Sequence, residues 1–288
     1  MKKISLISKL CEKYPQKILS IKDSPDILFA IGNLDLLNTF SLAVIGSRNC
    51  NQEAKVLTKS LVQGLVENNV TIISGMARGI DSIAHESAIE AGGKTIAIIG
   101  CGFIYAEDKK IFNKILENDG LILTEYYPDV PPQKFNFPRR NRLIAAISEG
   151  VIITQARENS GTLITAKYAN EMQKNVFSFP WNIDDENYYG NNFLLANNSK
   201  CILSYKDVLK HYPSFYNSIN SETFQNNEKS NINKEYLEIY KNLTTLPIDI
   251  NTLSKKLKLN ISELQYKLTL MELEGLVEKV PNNSYVRK

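Results

Sequence analysis

The sequence has few cysteines, and none is placed to bind a metal. The four cysteines, Cys11, Cys50, Cys101 and Cys201, are scattered over 288 residues without a C-x-x-C pair or a nearby histidine. Structural zinc sites need closely spaced cysteine and histidine ligands. The pattern therefore argues against a metal site and is typical of the reduced thiols of a cytosolic protein.

The sequence also lacks a long hydrophobic run and a strong charge of either sign. No uninterrupted apolar segment is long enough to cross a bilayer, and residues 1–5 lead into charged sequence rather than the core of a signal peptide. We therefore expect a cytoplasmic protein without a membrane partner. The formal net charge of +3 is too small to indicate a polyanion ligand by itself, so such a ligand requires local clusters of cations.

The common nucleotide-binding motifs are missing too. There is no G-x-x-x-x-G-K-[ST] loop, and Gly100-Cys101-Gly102 lacks the third glycine of the dinucleotide pattern because Tyr105 stands there. No carboxylate, histidine and nucleophile form a recognisable catalytic set. We therefore predict a binding protein without catalytic residues, metal or cofactor. The alternative is a nucleotide-binding or nucleotide-hydrolysing enzyme of a related Rossmann-like fold.

Short β-rich runs alternate with segments of helical period. The predicted strands are Leu42 to Ile45, Thr71 to Ile73, Thr95 to Ile99, Leu121 to Thr124, Val151 to Thr154, Val176 to Phe179 and Cys201 to Ser204, and the predicted helices lie near 52–67, 81–91, 108–118, 140–148, 161–173 and 206–211. Such alternation predicts an α/β fold with a largely parallel sheet covered by helices on each side. Ligands of these folds bind at the carboxyl ends of the strands.

Composition divides the chain into four parts. Residues 1–40 are predicted to be a short, irregular or partly helical lead-in, 41–213 the Rossmann-like domain, and 214–233, rich in Asn and Ser, a solvated linker. Residues 234–288 are expected to form three helices and a hairpin, which describes a small winged-helix-like domain. Its third helix carries more acidic than basic residues, which favours a protein partner over a DNA groove.

The first loop of interest is Gly46-Ser47-Arg48, directly after a predicted strand. Its glycine allows close approach of the backbone to a ligand, and its arginine offers a bidentate donor. Taken alone, a tight turn with a solvent-facing arginine explains it as well.

The second loop, residues 74–81, places Gly75, Arg78 and Gly79 between a strand and a helix whose expected N-cap is Asp81. A structural role is favoured for Asp81, since an N-capping carboxylate competes with an anion for the same amides. His85 lies one turn later, and a hydrogen bond to Asp81 is a more common arrangement than a catalytic His–Asp pair.

The third loop, Ser160-Gly161-Thr162, begins another predicted helix and offers amides, hydroxyls and a helix dipole to an anion. A simple cap on a buried helix is the alternative. All three loops follow strands, so a parallel sheet brings them to one edge.

Cations cluster between residues 134 and 167. Lys134, Arg139, Arg140, Arg142, Arg157 and Lys167 stand against Glu149 and Glu158, six against two. Such a cluster is what a phosphate-binding groove requires. Phe135 and Phe137 lie among these cations and can stack on bases, although Phe137, next to Pro138, is also suited to anchoring the loop to the core. Pro138 and the apolar run after the arginines indicate the start of a helix, so Arg140 or Arg142 is expected to point inward.

Four motifs occur in order along the chain, namely G-S-R at 46–48, S-G-M-A-R-G-I-D at 74–81 followed by A-H, F-P-R-R-N-R at 137–142 and S-G-T-L-I-T-A at 160–166. With them the segment from Leu42 to about Ser204 resembles the DNA-processing protein A (DprA/Smf) family. The resemblance implies an extended Rossmann-like fold and binding of single-stranded DNA without strong sequence preference. It also implies homodimerisation and loading of the RecA recombinase onto incoming DNA in natural transformation. The chain departs from the family pattern at Gln155 and Trp181.

The resemblance and the loops together mark the expected site residues. The expected DNA contacts are Gly46, Ser47, Arg48, Arg78, Lys134, Arg139, Arg140, Asn141, Arg142, Ser160, Gly161, Thr162 and Lys167. Gly75, Gly79, Asp81 and His85 are expected to shape the pocket.

Overall fold

A computed structural model of the protein describes residues 3–19, 21–216, 234–243, 247–257, 259–273, 276–281 and 283–287. The chain divides into two compact units, Met1–Ile219 and Asn220–Lys288. Within these described ranges, no helix has both the length and the apolar character needed to cross a membrane.

One large sheet forms the centre of the first unit. Its strands in the described residues are β1 (Ser5–Ser8), β2 (Ile27–Gly32), β3 (Ser41–Ile45), β4 (Thr71–Ser74), β5 (Thr95–Ile98), β6 (Leu121–Thr124), β7 (Gly150–Ile153), β8 (Asn175–Ser178) and β9 (Lys200–Cys201). They lie in the order β1-β2-β6-β5-β4-β3-β7-β8-β9, and neighbours from β6 to β9 are parallel. The chain runs outward from β3 to β6 and then returns to place β7 on the other side of β3. This reversal is a topological switch point.

Helices cover both faces of this sheet. They are α1 (Gln16–Leu19), α2 (Gln52–Glu67), α3 (Ile80–Glu90), α4 (Lys109–Glu117), α5 (Asn136–Ile147), α6 (Gly161–Glu171), α7 (Tyr189–Ala196) and α8 (Tyr205–Leu209). Successive strand residues point to opposite faces. Leu42 and Val44 therefore share a buried cluster with α2 and α3, whereas Ala43 and Ile45 share one with α5 and α6. The predicted Rossmann-like architecture is confirmed.

Most predicted elements occur within a residue or two of their expected bounds, and the bounds of α2 and β6 coincide with the prediction. Three elements differ. Helix α5 begins at Asn136, four residues before its predicted start near residue 140. Helix α7 was not predicted, because its sequence contains Gly190 and two asparagines, which disfavour a helix. It forms here around the fully buried Asn191, whose Oδ1 accepts from the Ala156 amide and whose Nδ2 donates to the Ile153 carbonyl. Strand β9 has only two residues and ends before Leu203.

The expectation of an irregular lead-in over residues 1–40 is wrong in its secondary structure. Strand β2 pairs antiparallel with β6, and β1 pairs antiparallel with β2, so the segment extends the central sheet. The run from Ile27 to Ile31 is apolar on both faces of the strand: Leu28 belongs to one buried cluster and Phe29 to another. A run of this kind needs a covered position inside a sheet.

The second unit contains α9 (Lys234–Asn242), β10 (Ile248–Asp249), α10 (Ile250–Leu257), α11 (Ile261–Leu273), β11 (Val277–Val280) and β12 (Ser284–Arg287). The strands form a sheet in the order β10-β12-β11, and the core includes Leu253, Leu264 and Tyr285. The predicted winged-helix-like fold is confirmed, with β10 as an additional strand. Most of the predicted linker, from residue 217 onward, lies outside the described residues, whereas residues 214–216 are helical and Phe215 stacks on Phe40.

Candidate functional site

A cavity of 1030 Å³ lies at the switch point between β3 and β7. The loops after these two strands line it, as do residues of α5. The predicted site residues that line it are Gly46, Ser47, Arg48, Asp81, Lys134, Arg140, Asn141, Ser160, Gly161 and Thr162. The parallel sheet therefore brings the first and third loops and part of the arginine cluster together, as the sequence predicts. We call this space the switch-point cavity.

Arg48 projects from a tightly packed turn at the end of β3. A Cβ on Gly46 would lie 2.7 Å from Ile80 Cγ1 and 2.9 Å from the Gln155 carbonyl oxygen, so only glycine fits there without a shift. The Ser47 amide donates to the same Gln155 oxygen over 2.8 Å. Arg48 itself is exposed, and its guanidinium carbon lies 5.5 Å from the centroid of the Phe137 ring. Phe137 thus holds the guanidinium over the cavity by a cation–π contact.

The amino terminus of α6 forms a facing wall of the cavity. Ser160 is the N-cap, and its Oγ accepts from the Thr162 amide over 3.2 Å. A Cβ built on Gly161 would meet no atom within 4 Å, so the first turn is open. Asn141 of α5 donates to the Gly161 carbonyl oxygen over 3.2 Å and holds the two helices together. The free amides of such a terminus attract an anion.

Arg140 is a buried donor at the floor of the cavity. It is 4% exposed, and its Nη1 donates to the carbonyl oxygens of Gly75, over 2.6 Å, and of Ile98. Its Nε donates to Asn141 Oδ1 over 3.2 Å. Burial lowers the pKa of Arg140, and the charge of Asp81 opposes that shift. The arginine therefore ties α5 to the ends of β4 and β5.

Asp81 is not the N-cap of α3, contrary to the prediction. The cap is Gly79, which has a positive φ of 84°, and Asp81 lies inside the first turn. Its Oδ2 instead accepts from the amides of Gly75, over 3.1 Å, and Ala77, over 3.4 Å. Burial raises the pKa of Asp81, and Arg140 opposes the rise. Since Gly79 accepts the left-handed backbone that an L side chain resists, the cap lies two residues earlier than the expected cap Asp81.

His85 does not bond to Asp81, so that expectation is wrong as well. The imidazole is fully buried, with Nδ1 2.7 Å from Thr95 Oγ1. That hydroxyl donates to the Ile72 carbonyl oxygen, so it accepts from the histidine Nδ1–H. Burial lowers the pKa of His85 to about 3, and the imidazole is neutral. Its place is in the core beside the site, and it does not line the switch-point cavity.

Arg142 is corrected from an expected DNA contact to a structural residue. Its side chain is 4% exposed and forms an ion pair with Glu125, whose side chain is equally buried. The remaining donors bond to the carbonyl oxygens of Asp23 and Arg139. Arg139 is 55% exposed, and its Nε lies 3.5 Å from Glu125 Oε2. A guanidinium with every donor occupied in the interior has none left for a phosphate.

Two further predicted contacts, Arg78 and Lys167, are exposed and lie outside the lining of the cavity. Arg78 Nε lies 3.2 Å from Glu107 Oε1, and Lys167 Nζ lies 3.9 Å from Glu171 Oε1. Gly75 has a packing role, since a Cβ there would lie 2.6 Å from Asp81 Oδ2 and 2.7 Å from Arg140 Nη2.

The charge around the cavity is more balanced than the count along the sequence suggests. The lining cations are Arg48, Lys134, Arg140 and Arg157, and the lining acids are Asp81, Glu158 and Glu186. Glu186 and Tyr189 were not predicted as site residues. They reach the cavity through the segment between β8 and α7, where Tyr188 stacks on Trp181 with ring centroids 4.2 Å apart and donates to Asn51 Oδ1. No local motif marked that segment.

No group of three or more His, Cys, Asp or Glu side chains is placed to hold a metal ion in the part of the chain that the structure describes. The switch-point cavity presents guanidinium groups, an ammonium group, helix amides and the aromatic rings of Phe137 and Tyr189. Such a surface suits phosphates that alternate with planar bases.

Two family models match the chain. The model described as DNA recombination-mediator protein A matches residues 5–213, and the model described as DprA winged helix domain matches residues 228–283. DNA processing protein DprA of Streptococcus pneumoniae is 42% identical over 212 residues, which cover 73% of this chain and 75% of the relative. Protein Smf of Escherichia coli is 30% identical over 288 residues, which cover 98% of this chain and 77% of the relative.

Solved structures of two such proteins are similar to this chain. The X-ray structure of DNA processing protein A from Streptococcus pneumoniae has a TM-score of 0.69 at 42% identity, covering 72% of this chain and 74% of that one. A structure of DNA processing protein A from Helicobacter pylori, described for its single-stranded DNA binding mode, has a TM-score of 0.64 at 31% identity, covering 77% of this chain and 99% of that one.

Proposed function

The chain belongs to the DNA recombination-mediator protein A family, and on that premise we propose that it binds single-stranded DNA in the cytoplasm, protects the bound strand and loads the RecA recombinase onto it. The observation that carries the proposal is the position of Arg48. Its guanidinium stacks on Phe137 and lines the same cavity as the open amino terminus of α6. A phosphate can therefore bind between them while a base stacks on an aromatic ring.

The proposed contacts follow the lining of the cavity. Arg48 and Lys134 supply charge, the backbone of Gly46 and Ser47 comes close to the strand, and the α6 terminus supplies amides. Arg140 and Asn141 form the floor, and Ser160, Gly161 and Thr162 form the facing wall. Arg78, Arg139 and Lys167 extend the path of the strand over the surface, where each cation is itself exposed and lies near one carboxylate. The likeness to the Helicobacter pylori protein, whose structure is described for its single-stranded DNA binding mode, supports this assignment.

We further propose that the protein forms a homodimer and that its two domains bind different partners. Phe193 of α7 and Leu203, which follows the edge strand β9, are large apolar side chains that are 49% and 74% exposed. We propose that these two side chains contribute to the dimer surface. Residues 41–213, joined by the strands β1 and β2, are proposed to bind DNA, and residues 234–288, after the linker 214–233, to bind a protein.

The proposed role involves binding without turnover. The competing function is an enzyme that acts on a free nucleotide, and it requires an accessible acid or base. Of the two groups considered for that role, His85 is buried and neutral, and Asp81 is engaged by two backbone amides. Release of base or phosphate from a mononucleotide, lost on replacing Asp81, would favour the enzyme instead.

Fluorescence anisotropy with labelled single-stranded and duplex oligonucleotides at two salt concentrations tests the proposal. We expect a preference for the single strand, affinity that falls with salt, and a loss of about tenfold or more for Arg48→Ala, since the variant loses a charge-assisted contact to phosphate. Lys59→Ala, an exposed change on α2 outside the cavity, is the charge-matched control. Binding that is absent, independent of salt or equally reduced by both variants would contradict the proposal. Loading is tested by following RecA filament formation on a single strand that is already covered by the protein. The unaltered protein is compared with Arg48→Ala.

A further inference from the structure

A second, smaller cavity of 220 Å³ adjoins the switch-point cavity. Ala77, Phe137 and Arg140 line both. The rest of its inner wall is apolar or backbone: Gly75 and Met76 follow β4, and Gly100 and Cys101 lie beyond β5. Met76 and Cys101 are 4% and 5% exposed. We call this space the side cavity.

The guanidinium of Arg140, which lines the side cavity, has one nitrogen without a hydrogen-bond partner among the described residues. Arg140 uses Nη1 and Nε for three hydrogen bonds, and in the described structure its Nη2 donates none. Asp81 interacts with this guanidinium electrostatically without a hydrogen bond to it. This nitrogen is accessible to solvent, so a ligand that brings an acceptor atom to Nη2 displaces water and gains a hydrogen bond to a charged donor.

The charges of the side cavity select against a phosphate as its ligand. Its lining includes the carboxylate of Glu107, which lies with the half-exposed Tyr105 and the exposed Pro132 on the outer side. Glu107 is held there by Arg78, 3.2 Å away. A ligand that passes this rim has to be uncharged, flat enough for a narrow apolar space, and equipped with an acceptor at its edge. At 220 Å³ the space is smaller than the ~300–1,000 Å³ of a drug-sized ligand site, so it suits a single ring system.

We propose that the side cavity receives one unstacked nucleobase of a bound single strand, with a carbonyl oxygen of the base on Arg140 Nη2. The proposal rests on the single-stranded DNA binding proposed above. The phosphates of that nucleotide stay in the switch-point cavity beside Arg48, and the base turns past Phe137. Thymine and guanine present an oxygen where adenine presents an amino group, so adenine is disfavoured at this one position.

Photocrosslinking tests the placement directly. A short thymidine oligonucleotide in which single positions carry 4-thiothymidine puts the reactive atom where the proposal places the acceptor edge. After irradiation and proteolysis of the full-length protein, we expect one thymidine position to crosslink to the peptide that contains Met76 or to the peptide that contains Cys101. Crosslinks found only on other peptides of a protein that binds the oligonucleotide would overturn the side cavity as a base site.

A pair of variants gives an independent measurement. Cys101→Phe fills the side cavity, and Cys101→Ser keeps its size and the bond to the Tyr105 carbonyl oxygen. We expect Cys101→Phe to bind the oligonucleotide about tenfold more weakly than Cys101→Ser, since one base contact is worth roughly one decade of affinity. Equal affinity of two folded variants would contradict the proposal, and if Cys101→Phe does not fold, the crosslinked peptides decide. Absence of any oligonucleotide binding by the unaltered protein would instead contradict the proposed function.

Discussion

Arg142 and Glu125 form a bidentate ion pair in the interior: Nη1 lies 2.7 Å from Oε1 and Nη2 lies 2.8 Å from Oε2. Glu125 directly follows β6, and Arg142 lies in the middle of α5, so the pair joins the helix to the sheet. Arg139 approaches the same carboxylate from the surface, 3.5 Å away. Two of the three clustered arginines, Arg139 and Arg142, therefore share one acid. The third, Arg140, lines the switch-point cavity.

The first prediction concerns the free energy of unfolding. Arg142→Met removes one partner of a buried pair and leaves the Glu125 carboxylate with only the more distant Arg139, and breaking a buried pair typically costs about 3–5 kcal/mol. Arg139→Met removes only the longer contact that the 55% exposed Arg139 makes with the same carboxylate, and it should cost less, about 0–1 kcal/mol. Urea denaturation of both variants measures the difference. A destabilisation by Arg142→Met no larger than that by Arg139→Met would show that the buried pair does not stabilise the fold.

The second prediction separates the charge of Arg48 from its shape. Arg48→Lys keeps the charge but loses the planar group that lies over Phe137 and grips phosphate with two donors. We expect an affinity for single-stranded DNA between those of the unaltered protein and Arg48→Ala. The dependence of log affinity on log salt should be nearly unchanged for Arg48→Lys and reduced by about 0.7 for Arg48→Ala, the value for one lost phosphate contact on a single strand. Anisotropy titrations over a range of salt concentrations measure both. An equal slope for both variants and the unaltered protein would place Arg48 away from the phosphates.

The third prediction compares two glycines of the site. Gly75→Ala introduces a Cβ that would lie 2.6 Å from Asp81 Oδ2 and 2.7 Å from Arg140 Nη2, so the buried Asp81 and Arg140 groups must move. Gly161→Ala adds a methyl group with no atom within 4 Å and keeps the amide at the start of α6. We expect Gly75→Ala to lower the melting temperature and to weaken DNA binding. Gly161→Ala should leave stability equal or slightly higher, because alanine favours a helix by up to ~1 kcal/mol.

The two glycine variants also test two sides of the switch-point cavity separately. Gly161→Ala tests the wall formed by the start of α6, and Gly75→Ala tests the floor formed by Arg140. Thermal unfolding and anisotropy on the same preparations distinguish a loss of fold from a loss of binding. If Gly161→Ala abolishes binding while its melting temperature is unchanged, the strand passes closer to the α6 terminus than a methyl group allows. If Gly75→Ala changes neither quantity, the contact between Asp81 and Arg140 does not shape the site.

The parallel part of the fold and the outline of the site follow from the sequence for a simple reason. Buried parallel strands are continuous apolar runs, and each is followed by its loop at the same edge of the sheet. The loops at Arg48 and Gly161 could therefore be placed together before the strand order was known. Helix α2 has a clear apolar period and an Asn51 cap, which is why its bounds were predictable.

What the sequence could not indicate depends on distant partners. The sequence predicts that Arg140 or Arg142 points inward, and both are 4% exposed, but the partner of Arg142 is Glu125, 17 residues earlier and directly after β6. Tyr189 reaches the cavity because Asn191 is fully buried and fixes α7, although the local sequence disfavours a helix. The start of α3 was misplaced because Gly79, with its positive φ, caps the helix without a side chain, whereas the capping pattern favoured Asp81.

The last prediction concerns pH. Burial lowers the pKa of His85 to about 3 from an ordinary 6.5, so between these values the unfolded chain binds a proton that the folded protein excludes. Stability contributed by the neutral imidazole is therefore complete above pH 6.5 and is lost as the pH falls toward 3. The loss is about 1.4 kcal/mol per pH unit, or roughly 2 kcal/mol between pH 6.5 and 5.

Urea denaturation at both pH values should show this loss in the unaltered protein and a smaller one in His85→Gln, which has no titrating group. Asp81 is present in both proteins, so the effect of its raised pKa on stability is the same in both and cancels when the two losses are compared. Equal losses in the two proteins would mean that His85 is protonated inside the fold and that its unpartnered Nε2 carries a proton at pH 5.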